Sequence, residues 1–249
     1  DRSGFKVNIL NNLIKGTLQK VDPIVLDIKY KQFDKLQKKR NDAIKRGLLI
    51  TSNDDYVNAL ISDSSKKLKA KIRLKGDYVD HLQSDKWSFR VKIKDDETLL
   101  GMNKFSLQSP VTRNYIWEWL FHEILRYEGL PSLRYFFRPL IINGDYRGIY
   151  AIEEHFDKIL LESNSFKEAP ILKFSETLMW EQKNKINNEK YRYRKSFSTG
   201  FKLNKISKNN TLKMNFETAN QLLNGFQQGI FTTSEVFDIE YLAKYFAII

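Results

Sequence analysis

The chain lacks cysteine altogether, which excludes disulfides, cysteine–metal sites and thiol catalysis. Histidine is scarce as well: His81, His122 and His155 have no close spacing, so a zinc site is not expected. No apolar run is long enough to span a membrane, and no signal peptide is visible. The absence of cysteine fits an exported protein. A hydrophobic content of 41%, with 13% aromatic residues, is typical of a globular protein.

Acidic residues are too few to balance the basic ones. The 42 lysines and arginines exceed the 30 aspartates and glutamates, which gives a net charge of +12. Such a charge indicates an anionic partner: a nucleotide, a nucleic acid, an acidic protein or an anionic membrane surface. Part of it lies between Lys183 and Lys213, which we interpret as a mobile basic insertion. Nucleic acid is disfavoured, because the basic residues fall on predicted strands and loops and not on a groove-reading helix.

Two segments alternate strictly between apolar and basic residues, which is the pattern of half-buried strands. They are Leu68–Lys75 and Phe89–Lys94. If the strands pair antiparallel, seven basic side chains share one face of the sheet: Lys69, Lys71, Arg73, Lys75, Arg90, Lys92 and Lys94. This face has two interpretations. It either holds a polyanion such as a nucleotide triphosphate, with Gly76 at its lip, or it is a solvated outer surface.

The predicted helix Arg113–Glu128 is apolar around most of its circumference. Glu123 falls inside the apolar arc, between the directions of Ile116 and Trp119. A buried carboxylate is costly unless it is paired. The sequence therefore predicts a central helix whose Glu123 meets a cation. That cation belongs either to a binding site shared with the basic strands or to an ion pair that only orders the core.

Spacing and turn residues predict further elements. Lys31–Arg46 is predicted to be a helix that ends at Gly47. Arg134–Ile142 and Tyr146–Glu153 are predicted to form a hairpin. Both ends of the chain lack natural boundaries: it starts without methionine, and its last predicted helix has no stop signal. We expect a longer protein from which an N-terminal targeting or membrane-anchoring segment has been removed.

Five motifs, in this order along the chain, resemble the spore coat protein H (CotH) kinase-like family. They are Arg73–Asp77, Asp85–Lys92, Gly101–Gln108, Thr112–Tyr115 and Gly148–Lys158. The resemblance covers roughly residues 65–175. The basic-glycine loop with its following lysine is fairly specific when combined with Gly-x-Tyr-x-x-x-Glu-x-x-Asp-Lys, whereas either element alone is weak.

The resemblance implies an α+β fold of the atypical protein-kinase-like type, with an antiparallel-sheet N-lobe and a central αC-like helix. Residues 1–160 would form this nucleotide-covering lobe. Residues 161–249 would contain a linker, the basic insertion and the first helices of a truncated second lobe. The family is regarded as binding ATP and magnesium, and some members phosphorylate secreted or coat proteins. A nucleotide, a protein or surface-polymer substrate and an extracytoplasmic or cell-surface location are therefore implied.

The same resemblance, together with the helical pattern for Glu123, implies a nucleotide site. Its candidate residues are Arg73, Lys75, Gly76, Lys86, Arg90, Lys92, Arg113, Glu123, Glu153 and Glu154. No catalytic residue is assigned. Which of Lys86, Arg90 and Lys92 makes the contact of a kinase third-strand lysine is left open.

The magnesium ligands of the family are expected beyond this chain. The 249 residues alone are therefore expected to transfer phosphate poorly or not at all. The alternative function is a non-catalytic module for surface or coat assembly or anchoring, in which the basic sheet face binds anionic partners.

Overall fold

The computed structural model describes residues 19–175 and 197–249, together with position 11 and positions 14–16. The strands in these ranges are β1 (Ile24–Asp27), β2 (Val57–Ser62), β3 (Lys67–Leu74), β4 (Phe89–Ile93), β5 (Lys104–Gln108), β6 (Tyr135–Ile142), β7 (Asp145–Glu154), β8 (Leu172–Ser175) and β9 (Phe197–Gly200). The α-helices are α1 (Tyr30–Arg46), α2 (Trp117–Tyr127), α3 (Lys158–Ser163), α4 (Leu203–Ile206), α5 (Asn210–Gln227), α6 (Thr233–Val236) and α7 (Ile239–Ile248). The predicted hairpin and the predicted helix ending at Gly47 are confirmed as β6–β7 and α1.

Seven strands close into a barrel in the order β1-β2-β3-β4-β5-β7-β6. From β1 to β5, each strand pairs antiparallel with the next strand along the chain, and β6 pairs antiparallel with β7. Strand β1 closes the barrel against β6 in parallel, with Val25 opposite Ile141. An odd number of strands cannot alternate in direction all the way around a ring, so at least one parallel pairing is required.

Alternation along the strands fills the barrel with apolar side chains. On β3 these are Ala70, Ile72 and Leu74, which are at most 1% exposed. The intervening basic residues lie outside, where Lys71 is opposite Lys92 and Arg73 is opposite Arg90. The antiparallel pairing predicted from the alternating pattern is therefore confirmed.

The chain forms two compact units. The first consists of Asp1–Glu118 and Tyr135–Glu153 and contains the barrel and α1. The second consists of Trp119–Arg134 and Glu154–Ile249 and contains α3 to α7 and the antiparallel pair β8–β9. The assignment of residues 1–160 and 161–249 to two parts of a larger protein stays a prediction.

The predicted fold class is wrong. We expected a kinase-like antiparallel-sheet lobe followed by the start of a helical lobe, whereas the sheet is a closed, mixed seven-stranded barrel. The alternating pattern specifies which side chains share a face of a strand, but it does not specify which strand edges meet. Closure depends on β1, which precedes all the recognised motifs, and its partner β6 lies far along the chain.

The predicted helix is present as α2, but its predicted central, covered position is wrong. Helix α2 begins at Trp117 and follows a 3₁₀ helix over Pro110–Arg113. Of its residues, His122 and Leu125 are buried, whereas Trp117 is 72% exposed. An apolar residue type does not by itself specify burial. The prediction from the wide apolar arc therefore overestimated how many residues of this helix are buried.

The predicted basic insertion falls partly outside the described residues, which omit 176–196. Its second half is not an insertion loop. From Phe197 to Lys213 the chain forms β9, α4 and the beginning of α5.

Candidate functional site

Polar side chains from four neighbouring strands come together on the outside of the barrel. Lys75 directly follows β3, Arg90 lies on β4, Gln108 ends β5, and Glu153 lies near the end of β7. These strands are consecutive in the barrel, which brings together residues that are far apart in sequence. The residue before each of them is buried in the core: Leu74, Phe89, Leu107 and Ile152. Alternation therefore directs the four polar side chains outward. Together with Arg113 they are named the Lys75 cluster.

Direct hydrogen bonds hold the centre of the Lys75 cluster. The Lys75 Nζ donates to Gln108 Oε1 at 2.7 Å and forms an ion pair with Glu153. The Gln108 Nε2 donates to the same Glu153 Oε2 at 2.7 Å. The side chains of Lys75 and Glu153 are only 12% and 16% exposed, and Gln108 is fully buried. The ammonium and carboxylate groups are therefore fixed in position and largely removed from water.

Positive charge predominates in the Lys75 cluster. Burial alone would raise the pKa of Glu153, but Lys75, Arg90 and Arg113 outweigh burial and hold that pKa below its ordinary value. Burial lowers the pKa of Lys75, and Arg90 and Arg113 add to this effect while Glu153 opposes it. Three cations, Lys75, Arg90 and Arg113, therefore surround the carboxylate of Glu153. Arg113 has only a loose pairing with Glu118, at 3.8 Å.

Arg113 is carried on a strained backbone segment. The next two residues, Asn114 and Tyr115, both adopt the left-handed region, with φ of 48° and 64°. This conformation costs a non-glycine residue about 1 kcal/mol or more, and such strain is concentrated at functional sites. The Tyr115 backbone N–H donates to the carbonyl of Pro110 at 2.8 Å, and Thr112 Oγ1 donates to the carbonyl of Ser109 at 2.8 Å. These bonds fix the turn that presents Arg113.

Gly76 is required by the turn that follows Lys75. Its φ of 117° is unfavourable for other residues, and a Cβ atom there would lie 2.6 Å from the ring of His81. That ring is buried, and its Nδ1 lies 2.9 Å from Ser88 Oγ. The Lys75 backbone N–H donates to the carbonyl of Ser88 at 2.8 Å. Close packing of the loop on His81 therefore fixes the backbone at Lys75.

Three other predicted site cations contact different groups. The guanidinium of Arg73 and the ammonium of Lys92 lie 5.5 Å and 3.9 Å from the centre of the Tyr56 ring, as cation–π pairs. The ammonium of Lys86 lies against Gly148, where a Cβ atom would be 3.0 Å from it. These three cations therefore have contacts outside the Lys75 cluster, and their assignment to one nucleotide site stays a prediction.

Two predicted carboxylates belong to other ion pairs. Glu123 is 39% exposed and accepts from Arg126 on its own helix, at 2.5 Å. Glu154 is buried and accepts from the backbone N–H and the Nε of Arg134, at 3.0 Å and 3.1 Å. Within the barrel unit, the carboxylate that bonds to Lys75 is that of Glu153, and the assignment of Glu123 to a nucleotide site stays a prediction.

Two residues at the Lys75 cluster were missed from sequence. Gln108 lies within a recognised motif, and it shares the outer face of β5 with Ser106, which is opposite Arg90. Extending the alternation of the basic strands to β5 would have identified it. Tyr135 lies opposite Glu153 on β6, and burial, together with Glu118 and Glu153, raises its pKa to about 12. No sequence signal marks Tyr135.

The Lys75 cluster does not fit a divalent metal ion. Its one buried carboxylate is already engaged by Lys75 and Gln108. Magnesium requires several oxygen ligands, and the described ranges contain no group of three or more histidine, aspartate or glutamate side chains that could hold a metal. The cluster is suited to an anion instead.

A comparison with known protein families covers the residues of the Lys75 cluster. The sequence model of the CotH kinase protein family matches residues 72–249, which includes every member of the Lys75 cluster. The resemblance predicted from the motifs is confirmed, and the match continues to the end of the chain. A comparison with curated proteins gives no match. The matched family is associated with the spore coat. Within the described ranges, no helix has the length and apolar character needed to cross a bilayer.

Proposed function

Because the chain belongs to the CotH kinase protein family, we propose that it carries the phosphate-binding part of an ATP- and magnesium-dependent phosphotransferase. The acceptors proposed for it are exported or surface proteins. The observation that carries the proposal is the gathering of three cations, Lys75, Arg90 and Arg113, around the buried carboxylate of Glu153.

This charge arrangement matches the requirements of phosphoryl transfer. The reaction needs little covalent participation by the protein and depends on positioning and on neutralising phosphate charge. Lys75 is held in place by Glu153 and Gln108, so it would present one positive charge without a further loss of side-chain entropy. Arg113 is half-exposed, with 42% of its side chain accessible, and is therefore the cation best placed to meet a ligand from solvent. The magnesium ligands of this proposal are expected outside the Lys75 cluster, whose one buried carboxylate is already engaged by Lys75 and Gln108.

Nucleotide binding can be tested by thermal unfolding of the chain with and without ATP and magnesium. A ligand at about 100 times its Kd stabilises the folded state by about 2.7 kcal/mol, which corresponds to a rise in Tm of several degrees. We expect Arg113→Gln and Lys75→Met to abolish this rise.

The control is Lys71→Gln, which removes an exposed lysine from the same strand and should keep the full rise in Tm. An absence of any rise with ATP, or an equal loss of the rise in all three variants, would reject the proposed site.

A second function is favoured by a separate observation. Lys69 and Lys71 are exposed on the outer face of β3, where they are accessible to a large anionic surface. In this alternative the chain is a non-catalytic assembly or anchoring module. Polyglutamate would then bind with a steep salt dependence that Lys71→Gln weakens, and ATP would leave the Tm unchanged.

A further inference from the structure

A cavity on the barrel unit is lined by residues that do not belong to the Lys75 cluster. It has a volume of about 650 Å³ and is formed where the end of β1, the start of α1 and the outer face of β2 and β3 meet. Its lining includes Lys29, Lys69, Lys94, Asn58, Leu60 and Asn143. Pockets for small molecules typically have volumes of about 300–1,000 Å³. The cavity is therefore large enough for a ligand of that class.

Hydrogen bonds fix the polar wall of the cavity. Asn143 Oδ1 accepts from the backbone N–H of Ile28 at 2.6 Å, which ties the β6–β7 turn to the end of β1. Lys94 Nζ donates to Asn58 Oδ1 at 2.8 Å. The Lys94 backbone N–H also donates to the carbonyl of Lys69 at 3.0 Å. This backbone hydrogen bond keeps the two lysines next to each other in the cavity lining. The wall is largely preformed, which reduces the entropic cost of binding a ligand.

The charge of the cavity is positive. It is lined by Lys29, Lys69 and Lys94 and by one carboxylate, Asp27, which is already paired with Lys67 at 2.7 Å. Lys69 has an exposed partner outside the lining, Asp95 at 3.7 Å, which solvent screens and which an anion can replace. The first turn of α1 contains no acidic residue, so the positive end of its dipole is not offset locally. Like charges placed side by side on a sheet are destabilising unless an anion joins them.

We propose that this cavity binds a small organic anion, whose phosphate or carboxylate group contacts Lys69 and Lys94 and whose apolar body packs on Leu60. Leu60 is 39% exposed, although it lies in the middle of β2. The site is separate from the nucleotide site proposed above, because it shares no residue with the Lys75 cluster.

The test uses phenyl phosphate as the probe, and benzoate and benzyl alcohol as its carboxylate and neutral counterparts. Each is titrated into the isotope-labelled chain while backbone amide shifts are followed by NMR. We expect saturable shifts at Asn58, Leu60 and Lys69 with phenyl phosphate or benzoate, and none with benzyl alcohol. A response to one anion only would identify the preferred head group. No saturable shift with either anion, or equal shifts with benzyl alcohol, would overturn the proposal.

Charge-removing variants distinguish a built site from general attraction to a basic protein. Lys69→Gln and Lys94→Gln should each weaken binding of the responding anion about tenfold, the loss expected for one charge-assisted hydrogen bond. Lys71→Gln removes the same charge from the same strand outside the cavity and should leave the affinity within about twofold. Equal weakening by all three variants would show non-specific attraction and reject the site. Lys75→Met should not alter this binding, whether or not the nucleotide proposal holds.

Discussion

The two ends of strand β3 carry the same kind of lysine–carboxylate pair in opposite surroundings. At one end Lys75 and Glu153 are 12% and 16% exposed, and Gln108 bonds to both. At the other end Lys69 and Asp95 are 3.7 Å apart and are 71% and 67% exposed. Both pairs join a lysine on the outer face at β3 to a carboxylate, and they differ most in how far each pair is buried. Solvent screens the exposed pair, whereas burial strengthens the interaction at the covered end.

This contrast assigns a different interpretation to each end of the basic face. Lys69 and Lys71 fit the description of a solvated outer surface. Lys75 and Arg90 fit the description of a charge cluster with a defined geometry. A buried positive cluster is costly unless anions balance it, so burial supports the proposed nucleotide site at the covered end, whereas the proposed anion site at Lys69 rests on the cavity and not on burial.

The largest effect is expected from removing the charge at the covered end. Glu153→Gln leaves Lys75, Arg90 and Arg113 without their shared carboxylate while keeping the side-chain volume. Breaking one partner of a buried pair typically costs about 3–5 kcal/mol, and we expect the lower figure because both side chains retain some exposure. Urea unfolding followed by circular dichroism measures this change.

A double variant separates the ion pair from packing. Lys75→Met combined with Glu153→Leu replaces the pair by apolar side chains, so it should be more stable than Glu153→Gln alone. If Glu153→Gln lowers the unfolding free energy by less than about 1 kcal/mol, the Lys75–Glu153 pair contributes no more than an exposed salt bridge does. The contrast between the two ends of β3 would then be absent.

The next effect concerns the turn that holds Lys75. Gly76→Ala adds a Cβ atom 2.6 Å from the His81 ring at a φ of 117°, and we expect it to cost about 2 kcal/mol of unfolding free energy. Gly47→Ala is the matched control, since Gly47 also has a positive φ, of 78°, but has no atom within 4 Å of its added Cβ. The control should cost about 1 kcal/mol, from backbone strain alone. Equal losses in thermal or urea unfolding would show that contact with His81 does not constrain the covered end.

The sequence predicted the local parts of this site better than its assembly. Alternation along β3 and β4 correctly gave their antiparallel pairing and the outward direction of the basic residues. The motifs correctly gave the family. For Glu123, a helical wheel gives only directions around one helix, and the partner that the structure shows is Arg126 on that same helix.

The remaining features depend on pairings between distant segments. Glu153 meets Lys75 because β7 inserts between β5 and β6 in the barrel, an order that no local pattern specifies. Gln108 gains its role from the same strand order, since a neutral side chain at the end of a strand carries no signal of its own. The strain at Asn114 and Tyr115 is likewise visible only in the backbone angles.

A third prediction concerns pH. The pKa of Glu153 is held below its ordinary value in the folded state, because Lys75, Arg90 and Arg113 outweigh burial. On acidification the unfolded chain therefore binds this proton first, near the ordinary glutamate pKa of about 4.3. The stabilising contribution is present above that pH and is lost as the pH falls through the lower folded value, with a slope of at most about 1.4 kcal/mol per pH unit. Urea unfolding across the acid range should show a steeper loss for the wild type than for Glu153→Gln, whereas parallel profiles would contradict the assigned shift.

The smallest effect is expected at the open end, from Asp95→Asn. Lys69 and Asp95 are exposed and 3.7 Å apart, so the pair should contribute about 0.3 kcal/mol or less. Salt should reduce even this contribution, because ions in solution screen exposed charges, although only in part at a separation well below the Debye length of about 10 Å at 0.1 M ionic strength. Measuring Asp95→Asn and Glu153→Gln in the same urea series compares the two lysine–carboxylate pairs. The ratio of the two losses in unfolding free energy reports how strongly burial changes the strength of such a pair. Similar losses for the two variants would mean that exposure does not distinguish the ends of β3, and burial would no longer support the proposed nucleotide site at Lys75.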